Sequence, residues 1–244
     1  MATDELTAQI IGHALRDGAR LRQAVLERCA DDVARAASLV TDAIQAGKKL
    51  LIFGNGGSAA DAQHIAAEMV GRFVVERAPL PAIALTVDTS AITAIGNDYG
   101  FDQIFARQVR ALGQEGDVVV AITTSGRSPN VVAAVEAARE RGMKVVGLTG
   151  AKGVDFARLC DACVVVPSTN TARIQELHIT VGHVICEVVD ARHVLATQRT
   201  NGAVHAVLEA ELVASGDASG GLPKPAHRVS SSSKELDLET LLPL

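Results

Sequence analysis

Two kinds of chemistry meet in one short stretch of the chain. The segment Gly54-Asn-Gly-Gly-Ser58 follows the apolar run Leu50 to Phe53 and precedes a helical pattern, which predicts a glycine-rich turn at a helix N-terminus. Backbone N–H groups in such a turn bind an anion or a polar ligand. His64 and Glu68 then stand four residues apart, about 40° from each other on a helix, so they can hold one divalent cation or simply pair with each other.

A second turn of the same kind lies further along the chain. The strand-like run Val118 to Ile122 leads into Thr123-Thr-Ser-Gly-Arg-Ser-Pro-Asn130 and a helical pattern, with Pro129 in the first helical turn and Ser128 as its cap. Hydroxyl groups and helix N-terminal N–H groups together suit a phosphate dianion. Because ligands of open parallel sheets bind at the carboxyl edge of the strands, we expect both turns to line one site. The hydroxyls belong to Thr123, Thr124, Ser125 and Ser128.

The first turn also resembles a dinucleotide-binding fingerprint. Gly54 and Gly56 supply Gly-x-Gly, and Ala59 occupies the third small position. That fingerprint requires a carboxylate about 20 residues further on for the ribose hydroxyl, and only Glu76 is near. The pattern therefore disfavours a nicotinamide or flavin site.

The last long helix offers three more metal-binding side chains. At about 100° per residue, His183 lies about 80° from Gln175, and His178 lies about 60° away on the other side. The two histidines thus diverge by about 140°, and helical geometry alone leaves both possible. One of them, with Gln175, His64 and Glu68, would form a mixed nitrogen and oxygen set suited to Zn²⁺.

The elements that position these residues alternate along the chain. Two long helices, broken near Gly18 or Asp31, are predicted between residues 4 and 46, and a last long helix from Thr171 to about Ala196. A polar loop is predicted at residues 97–100. Alternating strands and helices predict an α/β fold with a five-stranded parallel sheet covered on both faces. The predicted strands are Leu50–Phe53, Ala82–Val87, Val118–Ile122, Lys144–Leu148 and Cys163–Val166.

Composition excludes several classes of function. Aromatic residues make up only 2% of the 244 residues and the net charge is −5, which disfavours a nucleic-acid partner. No apolar run is long enough to span a bilayer, so we expect no membrane partner and a cytoplasmic location. The Cys160-x-x-Cys163 pair has no second C-x-x-C and is interpreted as buried, inert thiols; a redox pair or half a zinc site is the alternative.

The chain changes character near residue 199. Residues 204–213 continue a helical pattern, and the Gly, Ser and Pro of residues 215–233 predict a flexible linker. Residues 236–244 form either part of a disordered tail or a short partner-binding peptide. We therefore divide the chain into a domain of residues 1–198 and an extension of residues 199–244.

Taken together, these motifs resemble the phosphoheptose isomerases of the sugar isomerase (SIS) family. The resemblance covers about residues 1–198 and implies a three-layer α/β/α SIS domain with N-terminal helices. It further implies a zinc-dependent homotetramer that converts sedoheptulose 7-phosphate into D-glycero-D-manno-heptose 7-phosphate. The motifs that carry it are Gly54-Asn-Gly-Gly-Ser-Ala59, His64-x-x-x-Glu68, Asn97-Asp98, Thr124-Ser-Gly-x-Ser128 and Ile174-Gln-Glu-x-His-x-x-x-x-His183.

The resemblance also implies roles for individual residues. It makes His64, Glu68, Gln175 and His183 the zinc ligands and so favours His183 over His178. Glu68 becomes the base and His183 the acid of an enediol reaction, in which Zn²⁺ polarises the carbonyl oxygen. Asp98 either orients substrate hydroxyls or caps a loop. The substrate-binding residues implied are Asn55, Gly56, Gly57, Ser58, Asp98, Thr124, Ser125, Ser128 and Gln175.

Two other functions share this fold. One is a non-catalytic SIS regulator similar to the protein that associates with the bacterial replication initiator, which need not keep the metal ligands. The other is a SIS enzyme acting on arabinose 5-phosphate or N-acetylmuramic acid 6-phosphate, which should also lack the full metal set. The metal site therefore discriminates among the three.

Overall fold

A five-stranded, all-parallel sheet lies at the centre of the computed structural model, which describes residues 4–215, with the backbone alone for residues 194 and 197–215. All five predicted strands are confirmed, although the second is shorter than predicted. The strands are β1 (Leu50–Gly54), β2 (Ala82–Ala84), β3 (Val118–Thr123), β4 (Lys144–Gly150) and β5 (Ala162–Val166). Their order in the sheet is β2-β1-β3-β4-β5, so β1 and β3 are direct neighbours.

Helices cover both faces of this sheet, as the alternation predicted. The helices are α1 (Glu5–Gln45), α2 (Gly57–Val70), α3 (Thr89–Tyr99), α4 (Ile104–Leu112), α5 (Pro129–Glu140), α6 (Val154–Ala157) and α7 (Thr171–Ser215), with a 3₁₀ turn at Phe101–Gln103. One hydrophobic core joins α1, α2 and α7 to one face of the sheet, and a second joins α4 and α5 to the other. Because β1 and β3 are buried on both faces, they are continuous apolar runs.

The N-terminal region is one helix of 41 residues, so the predicted break was wrong. Gly18 is buried inside α1, where a Cβ atom would lie 3.3 Å from Oε2 of Glu176 on α7. Arg173 of α7 donates a hydrogen bond to the carbonyl of Ala14 across the same interface, at 2.7 Å. Gly18 therefore marks the close approach of two helices rather than a break in one.

Two further helix boundaries differ from prediction. Residues 97–99, predicted as part of a loop, form the last turn of α3, and Gly100 follows as its C-cap with a φ of 86°. The last helix does not stop near Ala196 but continues to Ser215. The predicted linker and terminal peptide lie outside the described residues. In the described range, no helix is long and apolar enough to cross a membrane.

A buried ion pair joins α2 to α7. The side chains of Arg77 and Asp190 are 2% and 0% exposed, and Arg77 Nε donates to Asp190 Oδ1. Asp190 Oδ2 also accepts the backbone N–H groups of Val74 and Val75. The Arg77 guanidinium donates to the carbonyl of Glu68 and to that of the following residue at the C-terminal end of α2, both at 2.9 Å. The pair thus satisfies carbonyl groups that every helix leaves free at its C-terminus.

We expect Asp190→Ala to lower the free energy of unfolding by about 3–5 kcal/mol, because it leaves a buried guanidinium without its counter-charge. Urea denaturation measures this loss. The matched control is Glu140→Ala, which removes the exposed partner of Arg110 and should cost about 0.5 kcal/mol. Equal losses in the two variants would contradict the structural role of the buried pair.

Candidate active site

The two predicted ligand-binding turns lie side by side at the carboxyl edge of the sheet. Gly54 at the end of β1 pairs in register with Ile122 of β3, so the chain leaves both strands at the same level. The turns line a single cavity of about 270 Å³. The expectation of one shared cavity is therefore confirmed. Its lining comprises Asn55, Gly56, Gly57, Ser58, Ile122, Thr123, Thr124, Ser128, Thr171 and Gln175.

The Thr123–Ser128 turn is held by its own hydroxyl groups. Thr123 Oγ1 lies 3.2 Å from Ser128 Oγ and accepts the N–H of Gly126 at 3.2 Å. Ser128 occupies the N-cap position of α5 as predicted, but its side chain makes no capping hydrogen bond because it faces Thr123. Ser125 Oγ accepts the N–H of Arg127 and does not line the cavity. The turn therefore presents Thr124 and Ser128 to the cavity.

The first turn packs tightly against α7. Gly56 adopts a φ of 58°, a conformation that glycine permits, and Gly57 begins α2. The side-chain amide of Gln175 sits where a Cβ atom of Gly57 would be, so a larger residue cannot replace this glycine without displacing Gln175. Ser58 is buried beneath the turn. Glycine backbone and the Gln175 amide thus lie side by side in this part of the cavity wall.

Three of the four predicted metal ligands come together. His64 Nε2 lies 3.0 Å from Glu68 Oε1 and 3.4 Å from His183 Nε2, and one donor atom from each residue lies within 4.8 Å of the other two. The predicted face of α2 meets α7 at this point. The ring of Phe73 stacks on that of His183 with centroids 5.2 Å apart, which restricts the orientation of the imidazole. We call His64, Glu68 and His183 the histidine–glutamate trio.

The trio fits Zn²⁺ by its donor types and spacing. Two nitrogens bound to one tetrahedral Zn²⁺ at about 2.0–2.1 Å lie roughly 3.3 Å apart, close to the 3.4 Å between the two Nε2 atoms. Two facing ring nitrogens and a carboxylate are the ligands that zinc prefers. Three protein ligands would leave one position open, as in catalytic rather than structural zinc sites.

Gln175 lies against the first turn. It stands eight residues before His183 on α7, which corresponds to about 12 Å along the helix axis. Its amide contacts Gly57 and lines the cavity. Its predicted role as a substrate ligand matches this position, and its role as a metal ligand stays a prediction.

His178 lies in the core and not beside His64. Its side chain is fully buried, and neither ring nitrogen has a hydrogen-bond partner among the described residues. Burial lowers the pKa of His178 to about 4, so the ring is neutral at physiological pH. Of the two histidines that helical geometry left possible, the structure places His183 with the trio.

Asp98 is exposed in the last turn of α3, where its Oδ1 accepts a hydrogen bond from Asn97 Nδ2 at 2.7 Å. It does not line the cavity, and its predicted substrate contact stays a prediction. Sequence reasoning missed three residues near the site, namely Phe73, Thr171 and Asn130. Only Phe73 carried a signal, since aromatic residues are scarce in this chain.

The cysteine pair lies apart from these residues. Cys160 and Cys163 were predicted to be buried, and the structure shows them free and partly buried. A hydrogen bond with Cys160, together with burial, holds the pKa of the Cys163 thiol well above its usual range. A protonated thiol is a poor nucleophile and metal ligand, which agrees with the interpretation of Cys163 as inert.

Comparison with known proteins places this site in a family. A family model described as SIS domain matches residues 15–150. A phosphoheptose isomerase of Rhodospirillum rubrum is 59% identical over 162 residues, which cover 66% of this chain and 86% of that protein. A phosphoheptose isomerase of Nitratidesulfovibrio vulgaris is 56% identical over 188 residues, which cover 77% of this chain and 90% of that protein. The chain belongs to the SIS-domain phosphoheptose isomerases. The structure of a family member from Neisseria gonorrhoeae superposes with a TM-score of 0.71 at 46% identity, covering 75% of this chain and 98% of that one.

The family and fold predicted from the motifs are thereby confirmed. The matched residues 15–150 include both turns and two members of the trio. The longer alignments support a sugar-phosphate isomerase of heptose biosynthesis.

The buried His178 leads to a test of acid stability. The unfolded chain binds a proton at this histidine below its ordinary pKa of 6.5, whereas the folded chain resists protonation down to about 4. Stability from this residue is therefore present above pH 6.5 and lost as the pH falls toward 4. We expect wild type to lose up to about 3 kcal/mol more than His178→Leu over this range, measured by urea denaturation at each pH.

His13→Leu is the matched control, because His13 is exposed on α1. Its pH dependence should parallel that of wild type. The same dependence in His178→Leu as in wild type would contradict the burial argument.

Proposed function

We propose that this chain is an aldose–ketose isomerase that converts sedoheptulose 7-phosphate into D-glycero-D-manno-heptose 7-phosphate in the cytoplasm, with Zn²⁺ held by the histidine–glutamate trio and Gln175 as the fourth predicted ligand. One observation carries the proposal. A hydroxyl-rich turn suited to phosphate shares a cavity wall with α2, and the same helix holds His64 and Glu68 opposite His183. The name shared by the relatives supports this substrate class.

The distance between the two parts supports a long substrate. His64 and Glu68 stand seven and eleven residues after Gly57, which corresponds to roughly 10–16 Å along the axis of α2. An extended seven-carbon sugar can place its phosphate at the cavity and its C1–C2 end near the trio. The phosphate would be bound by Thr124 and Ser128, which line the cavity, and by Ser125 once its hydroxyl group turns toward the cavity. This remote binding energy would orient the reacting end.

The sugar hydroxyls would meet the other wall of the cavity. In this proposal the turn of Asn55, Gly56, Gly57 and Ser58 contacts the sugar together with Gln175, and Asp98 orients a hydroxyl group. The cavity lining includes all of these except Asp98, which supports the first five contacts.

The chemical step moves one proton from C1 to C2. Glu68, which would leave the metal when substrate binds, removes the proton from C1 of the ketose. His183 donates a proton to O2 from the ring nitrogen that does not face the metal, which gives the enediol. Glu68 then returns the proton to C2 and His183 takes the proton from O1, which gives the aldose. When bound, Zn²⁺ would polarise the carbonyl oxygen and lower the cost of its negative charge. Glu68 Oε1 lies 3.0 Å from Nε2 of His64, a proposed zinc ligand. This distance supports a base placed beside the metal.

The first test is turnover with and without metal. We expect the purified protein with added Zn²⁺ to convert sedoheptulose 7-phosphate into the aldose, and a chelator to abolish conversion until Zn²⁺ is restored. Glu68→Gln should reduce kcat by about 10²- to 10⁴-fold, as expected for loss of a general base, and should reduce bound zinc. Chromatography of the product and elemental analysis of the metal are the measurements.

Glu76→Gln is the matched control, since Glu76 is exposed and forms an ion pair with Arg72 on the surface. It should keep both activity and zinc content. A folded wild-type protein that gives no aldose in the presence of Zn²⁺ would refute the isomerase proposal.

We also propose that the enzyme assembles as a homotetramer through α1 and α7. An apolar groove of about 390 Å³ runs between these helices, lined among others by Leu26 and Val184. Leu26 is 65% exposed, and Ile10 and Leu15 further along α1 are also exposed. Large apolar patches of this kind on a soluble protein mark contact surfaces. A second copy of the chain would cover these apolar residues with its own α1 and α7.

Leu26→Asp tests the assembly. A charge buried in an apolar contact is costly, so we expect this variant to elute with a lower mass than wild type in size-exclusion chromatography with light scattering. Leu112→Asp, at an exposed leucine of α4, should leave the mass unchanged. A monomeric wild type would contradict the proposal.

A further inference from the structure

A single pair of side chains joins the two turns of the cavity, and the roles assigned above do not use it. Asn55 Nδ2 donates to Asn130 Oδ1 at 2.8 Å, and Asn130 Nδ2 donates to Asn55 Oδ1 at 2.9 Å. The two carboxamides therefore form a closed, reciprocal pair between residues 75 positions apart in the chain. Each amide satisfies both a donor and an acceptor of the other.

Burial makes this pair specific for asparagine. Asn130, the second residue of α5, is 1% exposed, although that position near a helix N-terminus is often in solvent. An unpaired buried amide costs about 1–3 kcal/mol, so either residue requires the other. Asp cannot substitute, because its carboxylate has no N–H to return to Asn55. The pairing with Asn55 in the other turn therefore requires an asparagine at position 130.

No other side-chain hydrogen bond joins residues 54–58 to residues 123–130, both of which are fully described. The second turn is closed internally by the bonds of Thr123 to Ser128 and Gly126. The first turn is closed by its own backbone, with Ser58 N donating to Asn55 O at 3.0 Å. Each turn is therefore closed by its own hydrogen bonds, and the asparagine pair adds a side-chain link between the turns to the strand pairing that precedes them.

We propose that Asn130 is a positioning residue, which acts through Asn55 to set the spacing between the phosphate-binding turn and helix α2. This inference rests on the proposed function. Asn55 immediately precedes α2, and α2 carries His64 and Glu68, so a shift of the first turn moves the reacting groups relative to the bound phosphate. The carboxamide of Asn55 holds this spacing through Asn130, and the proposed sugar contact of Asn55 is left to its backbone.

The spacing matters because proton transfer requires near-contact geometry. A displacement of about 1 Å in the reacting groups can cost about 100-fold in rate. The phosphate turn does not need Asn130 to hold its own shape, since its bonds are internal. Loss of the pair should therefore affect the chemical step while leaving the affinity for phosphate itself intact.

The experiment compares Asn130→Ala with wild type in the full-length zinc-loaded protein. We expect kcat for sedoheptulose 7-phosphate to fall about 10- to 100-fold, while the Kd for inorganic phosphate, measured by calorimetry, changes less than about twofold. Asn130→Asp keeps the shape of the side chain and should act in the same direction if Asn130→Ala folds poorly. Because the two asparagines act as a unit, Asn55→Ala/Asn130→Ala should be little slower than the slower single variant.

Gln108→Ala is the control for a structural effect alone. Gln108 is a buried amide outside the site, and its Nε2 donates to the carbonyls of Leu85 and Ile104. This variant should lose stability but keep wild-type kcat. Three results would each overturn the inference: unchanged kcat in both Asn130 variants, multiplicative losses in the double variant, or a loss of phosphate affinity equal to the loss of kcat.

A failure of the proposed function can be distinguished from a failure of this inference. If wild type does not convert sedoheptulose 7-phosphate, the proposed function fails by itself. Binding measurements then decide the inference. Asn130→Ala should weaken the binding of sedoheptulose 7-phosphate more than it weakens the binding of inorganic phosphate. Equal effects on the two ligands would overturn it.

Discussion

The buried pair of Arg77 and Asp190 joins the two helices that carry the histidine–glutamate trio. Asp190 lies two turns beyond His183 on α7, and Arg77 binds the carbonyl of Glu68 at the end of α2. The relative position of Glu68 and His183 therefore depends on a contact that reaches the carbonyl of Glu68 directly and lies about two helical turns beyond His183. A charged pair without solvent tolerates little displacement, because separation leaves two buried charges unbalanced. This explains how exposed groups such as His64 can still meet at defined distances.

The parallel sheet imposes the second constraint. Adjacent parallel strands end at the same edge, so β1 and β3 deliver both ligand-binding turns to one cavity. Their backbone register leaves the side chains of the turns free to shift. The reciprocal amides of Asn55 and Asn130 remove that freedom with two hydrogen bonds. The sheet thus brings the two turns to the same edge, and the side-chain pair sets their exact spacing.

Three side chains of helix α7 point into three different surroundings. Gln175 reaches the cavity, His178 enters the core, and His183 meets α2. The angular steps of an α-helix make these directions diverge, so neighbouring polar residues on one helix acquire different roles. The neutral, depressed-pKa His178 shows that a histidine close in sequence to a site can belong wholly to the core. Its neutrality avoids an unbalanced buried charge.

The sequence by itself determined the α/β class, the five parallel strands, both turns and the pairing of His64 with Glu68. These rest on local periods and on i, i+4 geometry, which depend little on distant residues. It did not determine that α1 is continuous through Gly18, because the glycine is explained by the approach of Glu176 from α7.

Only the tertiary structure chose His183 over His178 as the neighbour of His64, set the amide of Gln175 against Gly57, and paired Asn130 with Asn55. Each of these depends on which faces of distant segments meet. No local pattern contains that information, because a partner such as Asn55 lies 75 residues away and can be brought into contact only by the packed sheet.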